Sequence, residues 1–463
     1  MPSPSAPPVA GLRPTRGRGR PLTVGGEGLP PGGVPGPATA LPGGRMTTDA
    51  TTDAPGSPGA QPLVPLHCLP RAEAGPPRLA VLPTGTPVWV LTRHADVRQA
   101  LAHPDLGRAP LYAPDAPPIT LTPNILDDPS SILNSDGPEH QAIRRTVQRA
   151  FTPRAIERWR PWVDGVVREL VGELVGSGSP AEVVGALTMP LPVRVISRLM
   201  ELEGLDTERL GRWSDHALST TAYSAEEIGA AIREFGEFGQ QLVQERRKNP
   251  GEDLVSSLVQ AADQTGGMTE AQITSLTIGL VIAGHETTMT SFGNALVYLL
   301  DPERTDRPGR PEHPDRAGAW RRIGADPAAA AAATEQILRT VPLGDRTTAP
   351  GSLRRATADL EIGGVTIPAG AVVAADAVAA NADPEVYPPG PLDLFAPLGT
   401  PSLTFGAGPH HCLGAWLARM ELELGLHHLA RALPGLHLAT PVDRIEWRTG
   451  LVTRSPLRLE VAW

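Results

Sequence analysis

FGAGPHHCLG, residues 405–414, is the stretch of sequence that decides the fold of this chain. Its cysteine, Cys412, is one of two cysteines in 463 residues and stands where a glycine-rich turn meets a helical pattern, LGAWLARMELELGLHHLARAL. A cysteine at a helix N-terminus lies against the positive end of the helix dipole, which favours the thiolate over the thiol. We expect Gly406, Gly408 and Gly414 to let the backbone approach a flat ligand.

A cysteine in a glycine-rich turn, taken alone, is typical of a buried structural residue, because free cysteine packs as a small hydrophobe. The pattern here, F-x-x-G-x-H-x-C-x-G, is long and complete, and with it the chain resembles the cytochrome P-450 superfamily. The resemblance implies Cys412 as the thiolate ligand of heme iron, a ligand that favours O–O cleavage. Phe405, seven residues earlier, is placed to shield the sulfur from water.

The resemblance extends from about residue 62 to the C-terminus. It implies a mainly α fold with a small β region, the cytochrome P-450 fold. In that fold heme b (iron protoporphyrin IX) lies between a long central helix and the cysteine-ligand loop.

The composition limits where the protein can be located and which kinds of partner it can bind. Forty-one basic and 50 acidic residues give a net charge of −9, too mild to indicate nucleic acid or an anionic membrane as a partner. Two cysteines offer no disulfide framework, which is typical of a reducing compartment. No apolar run reaches the roughly 18 residues that a membrane span needs, and the first residues lack the apolar core of a secretory signal. We therefore expect a soluble, cytoplasmic protein.

Residues 1–61 are dense in Pro, Gly, Ser and Thr and show no apolar periodicity. Such a segment cannot bury enough apolar surface to offset its ordering entropy, so we predict a disordered leader. Met46 begins MTTDATTDAPGSPG, which is typical of a short bacterial leader, and we hypothesise that translation starts there. Residues 62–463 are predicted to form one domain.

Apolar periodicity predicts a helix-rich domain with a minor sheet made by both ends of the chain. LAVLP and PVWVLT are predicted to form a hairpin around TGT, and residues 360–373 a short β region. Residues 299–326 contain a charged, proline-bearing insertion, DPERTDRPGRPEHPD, which is predicted to be a surface loop. Helices are predicted at residues 94–103, 138–151, 155–176, 225–248 and 269–300, with an alanine-rich helix that ends near Arg339.

The sequence AGHETT, which begins at Ala283, puts polar residues in the middle of the longest helical pattern. Threonine competes for backbone hydrogen bonds and glycine costs about 1 kcal/mol relative to alanine in a helix, so we predict an interruption that admits water. Splitting dioxygen consumes protons, and a relay needs a hydroxyl and a carboxylate. The resemblance assigns Thr287 to hydrogen-bond dioxygen during its activation and Glu286 to supply protons, with Ala283 and Gly284 against the heme face. His285 faces the substrate pocket or makes a polar contact away from the heme.

Heme carries two propionates, so its site needs several cations or donors at one edge. DGPEHQAIRRTVQRAFTPR offers His140 and Arg144, one turn apart on the same helical face. The resemblance assigns both residues to the propionates, together with Arg354, in SLRRATADLEIGGVTIPAG, and His410, two residues before Cys412.

Arginines cluster near this segment in an otherwise mildly acidic chain: Arg144, Arg145, Arg149, Arg154 and Arg158. In the family, basic residues of this region face an acidic ferredoxin, for which electrostatic steering is the expected role. For all but Arg144, an ordinary solvated surface is the alternative. The resemblance implies a monooxygenase that takes electrons from NAD(P)H through ferredoxin and ferredoxin reductase and inserts one atom of O2 into a small organic molecule of secondary metabolism.

The family's Glu-x-x-Arg pair and the arginine that closes it are altered in this chain. Three residues before Arg339 stands Gln336 instead of glutamate, and Pro391 occupies the place of the closing arginine. A buried carboxylate without its arginine destabilises a protein by several kcal/mol, so replacing the glutamate and the closing arginine together is less destabilising than replacing the arginine alone. We expect Gln336 to accept a hydrogen bond from Arg339, and Glu335 to pair with Arg339 at i,i+4.

Two other functions stay open from the sequence. One is peroxide-driven or non-oxygenating heme-thiolate chemistry, against which the Glu286–Thr287 pair argues. The other is a non-catalytic heme-binding protein, which only the altered Gln336 and Pro391 region favours.

Overall fold

The computed structural model describes residues 65–68, 71–122, 124–202, 207–265, 268–301, 316–344 and 351–463. The predicted leader and the hypothesised start at Met46 lie outside these residues. Helix predominates and the sheets are small, so the predicted mainly α fold with a small β region is confirmed. None of the described helices combines the length and the apolar content that a bilayer span requires.

Both ends of the described chain contribute strands. They are β1 (Arg78–Val81), β2 (Pro87–Leu91), β3 (Leu106–Gly107), β4 (Ala181–Glu182), β5 (Ser352–Ala356), β6 (Leu360–Ile362), β7 (Val365–Ile367), β8 (Val372–Ala375), β9 (His437–Leu438), β10 (Trp447–Arg448), β11 (Ser455–Pro456) and β12 (Glu460–Ala462).

The largest sheet has the strand order β1-β2-β8-β5-β3. β1 and β2 are antiparallel, with Arg78 opposite Val90, so the predicted hairpin is confirmed. β2 runs parallel to β8, with Val88 opposite Val372. All four residues of β8 are buried, as expected for a strand covered on both faces. The sheet therefore joins distant parts of the chain.

Helices fill most of the sequence between the strands. They are α1 (His94–Ala102), α2 (Gly137–Val147), α3 (Pro153–Glu157), α4 (Arg160–Gly176), α5 (Pro190–Leu199), α6 (Thr207–Ala217), α7 (Ala225–Lys248), α8 (Leu254–Thr265), α9 (Glu270–Leu300), α10 (Arg316–Ala325), α11 (Pro327–Thr340), α12 (Ala377–Ala380) and α13 (Ala415–Ala432).

Two sequence predictions about helices need correction. The helix predicted at 155–176 is two helices, α3 and α4, because Pro161 lies in the first turn of α4 and has no N–H to continue the preceding helix. The helix predicted at 138–151 ends at Val147 and passes into a 3₁₀ turn. The predicted surface loop, DPERTDRPGRPEHPD, lies outside the described residues apart from its first residue, Asp301, and α10 begins directly after it.

The longest described helix, α9, is continuous, so the predicted interruption is wrong. A reciprocal capping box starts it, in which Thr269 Oγ1 accepts from the Gln272 N–H and Gln272 Oε1 accepts from the Thr269 N–H. The Thr287 hydroxyl donates to the carbonyl oxygen of Ala283 at 2.7 Å. It thus shares that carbonyl as an additional donor and leaves the backbone ladder closed.

The cysteine helix, α13, lies directly against α9. A Cβ added to Gly425 would stand 2.6 Å from the ring of Phe292 on α9, so only a residue without a side chain allows this approach. α13 also packs against α4, α10 and α11. The loop that precedes α13 is therefore held close to the central helix.

Candidate functional site

Backbone geometry shapes the loop that carries Cys412. Gly406 and Gly408 have φ of +71° and +68°, where residues with a Cβ are strained. A Cβ on Gly408 would stand 2.5 Å from the carbonyl oxygen of Leu101, so this glycine lets the loop approach α1. That Gly408 also lets the backbone approach a flat ligand stays a prediction. The Cys412 N–H donates to the Phe405 carbonyl at 2.8 Å and closes the loop.

Opposing effects act on the pKa of the Cys412 thiol. Its side chain is accessible, although protein surrounds the loop on most sides. Burial raises the pKa of this thiol, while the Gly414 N–H and the guanidinium groups of Arg144 and Arg419 lower it. The start of α13 thus favours the thiolate as predicted, but burial outweighs it. A cation bound at the sulfur would complete the change to thiolate.

One stripe of α9 is accessible, although most of that helix is buried. Leu280, Ala283, Gly284 and Thr287 are each partly or fully exposed, and their spacing of three and four residues puts them on one face. Three of them are the residues that the resemblance assigns to the heme face and to dioxygen. The structure brings these residues together, and their roles stay predictions.

Glu286 belongs to a buried ionic cluster beside that stripe. It is 1% exposed, and its two carboxylate oxygens accept from Arg448 Nη1 at 2.9 Å and Nη2 at 3.2 Å. Thr453 Oγ1 donates to the same carboxylate at 2.7 Å. Arg448 also pairs with Asp215 on α6. Glu286 is therefore an ionic partner of Arg448. A role in proton transfer would require at least one of its carboxylate oxygens to exchange the hydrogen bond from Arg448 for one from water.

Burial and the two carboxylates act in opposite directions in this cluster. Burial alone would lower the pKa of Arg448, but Glu286 and Asp215 raise it overall. Burial raises the pKa of Asp215, although Arg448 opposes that rise. One guanidinium thus serves two carboxylates from different elements.

His140 and His410 lie side by side near the cysteine loop. Their ring centroids are 4.2 Å apart, and His410 Nε2 lies 3.3 Å from Asp136 Oδ1. Burial, followed by the charges of His410 and Arg144, lowers the pKa of His140 to about 4. Arg144 Nη2 donates to the carbonyl of His411 at 2.6 Å, which ties α2 to the residue before Cys412. The predicted residues of α2 and of the loop are therefore neighbours.

Arg354 adds a deeply buried cation. It is 3% exposed, and its Nη1 donates to Ser352 Oγ at 3.0 Å and to the Leu353 carbonyl at 2.8 Å. Burial, followed by the charge of Arg108, lowers the pKa of Arg354 to about 10, while Asp136 opposes that shift. Arg108 and Arg354 thus lie close enough to repel each other.

These side chains fit the propionates of heme. Nδ1 of His140 is buried and has no hydrogen-bond partner among the described residues, and the acceptors around Arg354 are neutral. Asp136, the nearby acid, already accepts from the Ala109 N–H at 2.8 Å. Carboxylates brought by a ligand would supply the acceptors and the negative charge that this cluster needs. With Cys412 and the accessible stripe of α9, the residues present fit a heme.

Gln336 and Arg339 replace the family's Glu-x-x-Arg pair, an ionic brace, and form a network in which the partners of Arg339 are neutral. Arg339 Nε donates to Gln336 Oε1 at 3.1 Å, as predicted, and Nη1 donates to the carbonyl of Asn381 at 2.8 Å. Gln336 Nε2 donates to the carbonyl of Ala396 at 2.9 Å. The guanidinium also lies 4.6 Å from the ring centroid of Tyr387. Arg339 thus keeps its place with these neutral partners.

The predicted pair between Glu335 and Arg339 is wrong. Glu335 Oε1 instead lies 2.5 Å from Nε of Arg419, on α13. The reason is that α13 packs against α11 and brings its own arginine to Glu335, whereas Arg339 is engaged with Gln336.

His285 follows neither of its two open alternatives. It is 3% exposed, so it is not on the accessible stripe. Neither ring nitrogen has a hydrogen-bond partner in the part of the chain that the structure describes. Burial lowers the pKa of His285 to about 4.

The basic cluster is mostly on the surface. Arg145, Arg149, Arg154 and Arg158 are exposed, and Arg144 is half-buried. Exposure is compatible with a docking role and with an ordinary solvated surface, so the ferredoxin-facing role stays a prediction.

Sequence reasoning missed Arg108, Asp136, Arg419 and Arg448. Arg108 and Asp136 stand next to predicted elements, but neither belongs to a motif with a known spacing. Arg419 and Arg448 meet their carboxylates across 84 and 162 residues. Only the folded chain brings these partners together.

Comparisons with known proteins agree with this geometry. The family described as cytochrome P-450 matches residues 337–457. Nocardicin C N-oxygenase of Nocardia uniformis subsp. tsuyamanensis is 38% identical over 422 residues, which are 90% of this chain and 100% of that protein. Mycinamicin IV hydroxylase/epoxidase of Micromonospora griseorubida is 38% identical over 383 residues, 82% of this chain and 91% of that protein.

Solved structures are similar over the same region. The structure of HinD with NMFT and NO has a TM-score of 0.74 and 32% identity, and it covers 88% of this chain and 98% of its own. The LnmA cytochrome P-450 hydroxylase from the leinamycin pathway of Streptomyces atroolivaceus S-140 has a TM-score of 0.72 and 37% identity, over 84% of this chain and 93% of its own.

Proposed function

Because this chain belongs to the cytochrome P-450 superfamily, we propose that it oxygenates a preassembled secondary metabolite with electrons from NAD(P)H, delivered by ferredoxin and ferredoxin reductase. The protein is a cytochrome P-450 monooxygenase, an oxidoreductase with heme b as its cofactor, and it acts on a small organic substrate with O2. The substrate class, the electron donors and a cytoplasmic location are the proposed part. The single observation that carries the proposal is the closed loop of Cys412 at the start of α13, a helix that packs directly against α9.

The cofactor would be held at two places. Cys412 would ligate the iron. His140, Arg144, Arg354 and His410 would bind the propionates, and the charge of Arg108 supports the same role. When bound, heme supplies the reductive activation of dioxygen, and the thiolate favours cleavage of the O–O bond.

The chain's own groups would manage protons near the dioxygen. We assign Thr287 Oγ1 to hydrogen bonding with dioxygen, because it is a hydroxyl on the accessible stripe of α9. Its present acceptor, the Ala283 carbonyl, lies one turn earlier on the same stripe. Glu286 would pass protons toward that hydroxyl, with its carboxylate oriented by Arg448 and Thr453. Ordered water would join that carboxylate to the hydroxyl.

The relatives support a substrate from secondary metabolism. Their names describe an N-oxygenase of nocardicin C and a hydroxylase/epoxidase of mycinamicin IV. These two molecules differ in the bond that is oxidised. We therefore propose only the class, a finished or nearly finished natural-product scaffold.

The decisive first experiment is the spectrum of the reduced, CO-bound protein. The wild-type protein should show the signature of thiolate ligation, and Cys412→Ser should lose it because serine does not supply a sulfur ligand. Cys68→Ser is the matched control and should keep it. If wild-type protein loaded with heme lacked the thiolate signature, the proposal would fail.

Turnover separates oxygenation from the rival chemistries. With ferredoxin, reductase, NAD(P)H and isotopically labelled O2, a natural-product substrate should gain one labelled oxygen atom. Labelled product with peroxide alone, and none with the electron-transfer partners, would favour a peroxide-driven enzyme. Heme binding without product in either assay, across substrates that change the heme spin state, would favour a non-catalytic protein.

A further inference from the structure

We propose that Arg419 is a positioning residue for the Cys412 loop, and that with Glu335 it steadies this loop in place of the ionic brace that the chain has lost. The proposal rests on the proposed role of Cys412 as the iron ligand. Its evidence is a continuous series of contacts from α11 to the backbone of Cys412.

The first step is the absence of a carboxylate where the family has its brace. Position 336 is glutamine, and Arg339 bonds to Gln336 and to the backbone of Asn381. This neutral network reaches as far as the residues that precede the loop. Asn381 Oδ1 accepts from the Leu403 N–H at 2.7 Å, and Asn381 Nδ2 donates to Thr404 Oγ1 at 2.9 Å. It holds the segment just before the loop, but not the phenylalanine or the cysteine.

The second step is an ion pair one residue earlier on the same helix. Glu335 Oε1 lies 2.5 Å from Arg419 Nε, and Arg419 Nη2 donates to Glu335 Oε2 at 3.4 Å. Both carboxylate oxygens are engaged, which fixes the plane of the guanidinium. The pair therefore joins α11 to α13 just behind the cysteine loop.

The third step links the guanidinium to the loop. Its carbon lies 4.4 Å from the ring centroid of Phe405, within the range of a cation–π contact. The backbone carbonyl of Phe405 accepts the Cys412 N–H at 2.8 Å. Glu335 thus orients Arg419, Arg419 covers Phe405, and Phe405 holds the Cys412 backbone.

The fourth step concerns what the contacts can and cannot do. The side chains of Arg419 and Glu335 are 23% and 35% exposed, and they border an open groove of about 850 Å³. Solvent screens such a pair, so its contribution to global stability is small. Its effect should be local, on the position of the loop and the retention of the heme.

The same groove offers a matched control. Arg160 Nη1 lies 3.0 Å from Glu423 Oε1, an ion pair that joins α4 to α13 one turn beyond Arg419. Glu423 also borders the groove. Glu423→Gln removes one carboxylate from α13 as Glu335→Gln removes one from α11, but Glu423 has no contact with Phe405 through its arginine.

The test compares heme retention and ligation in Glu335→Gln, Arg419→Lys, Glu423→Gln and the wild-type holoprotein. Heme transfer to excess apomyoglobin and loss of the thiolate signature in the reduced CO spectrum should be roughly threefold to tenfold faster in Glu335→Gln and Arg419→Lys. Lysine keeps the charge but cannot both stack and bind two oxygens. Amide hydrogen exchange should rise at the peptide that contains Cys412.

Two results would overturn the proposal. One is a Glu335→Gln protein whose heme transfer and loop exchange equal those of the wild type. The other is an equal acceleration in Glu423→Gln, which would show that any lost ion pair on α13 has the same effect. Both measurements are independent of substrate turnover, so failure of the brace and failure of the proposed function are distinguishable.

Discussion

Thr287 is the residue on which the proposed use of dioxygen most directly depends. Its hydroxyl is accessible and bonds to the Ala283 carbonyl at 2.7 Å. Replacing it with alanine removes the hydroxyl without burying an unpaired donor, so the fold should be unaffected.

We expect Thr287→Ala to lower the ratio of product formed to NAD(P)H consumed by at least about tenfold, because proton transfer by a positioned group contributes factors of this size or larger. Product and peroxide yields measure the effect. Thr277→Ala is the matched control, since Thr277 makes the same back-bond at 2.8 Å in a buried part of α9. Unchanged coupling in Thr287→Ala would refute the assigned role.

Gln336 gives a second prediction at the level of one side chain. Glutamate at this position would restore the family's residue, yet it would lose the donor that meets the Ala396 carbonyl at 2.9 Å. A carboxylate oxygen would then face a carbonyl oxygen in a site that is 5% exposed.

Gln336→Glu should therefore lower the free energy of unfolding by about 1–3 kcal/mol, the usual cost of an unsatisfied buried polar group. Urea unfolding near neutral pH measures it. Gln336→Met, which is uncharged and of similar shape, shows the cost of losing both hydrogen bonds. A Gln336→Glu protein more stable than the wild type would mean that Arg339 alone can compensate the charge.

The hairpin of β10 and β11 binds two helices, α6 and α9. Arg448 is opposite Ser455 in the hairpin and binds Glu286 on α9 and Asp215 on α6. At the tip, the Gly450 carbonyl accepts from the N–H groups of Thr220 and Thr221, at 2.8 and 3.0 Å. This hairpin therefore links α6 to the central helix, α9.

Arg448→Met should destabilise the protein by roughly 3 kcal/mol, because it leaves a buried carboxylate without its cation. The double variant Arg448→Met/Glu286→Gln should recover part of that loss, and a double-mutant cycle by urea unfolding gives the coupling. Arg458→Met removes an arginine that is 67% exposed and should change stability by less than about 0.5 kcal/mol. Additive single effects would show that Arg448 and Glu286 are not coupled.

The buried histidine His285 makes the free energy of unfolding of the whole molecule depend on pH in the acid range. Burial lowers the pKa of His285 to about 4 from a usual value of 6.5. Above the usual value, His285 is neutral in both folded and unfolded chains. As pH falls from 6.5 toward 4, the unfolded chain binds a proton that the folded chain excludes, so folding stability decreases.

His285→Leu should therefore gain stability relative to the wild type by roughly 1–2 kcal/mol when the pH is lowered from about 7.5 to about 5. Urea unfolding at the two pH values measures this difference. His437→Gln, at an exposed position, is the control and should leave the pH dependence unchanged. A constant difference between His285→Leu and the wild type would mean that His285 finds a partner and titrates normally.

Local pattern was enough for most of the elements and for naming Cys412 as the candidate iron ligand. The α7 and α9 helices were predicted within one residue from their apolar spacing. In the structure each also begins with a capping box, Ser224 with Glu227 and Thr269 with Gln272. Cys412 was found from a ten-residue motif. The helix 155–176 was predicted as one because the apolar spacing runs through Pro161 and conceals the break.

Partners that are distant in sequence came only from the folded chain. Glu335 was expected to bind the arginine four residues away, but it binds Arg419 on a helix packed against its own. Glu286 was recognised from its motif, whereas Arg448 and Asp215, which decide its charge environment, have no local signal. Spacing along one helix is encoded in the sequence as a period, but the pairing of side chains from separate elements depends on how those elements pack.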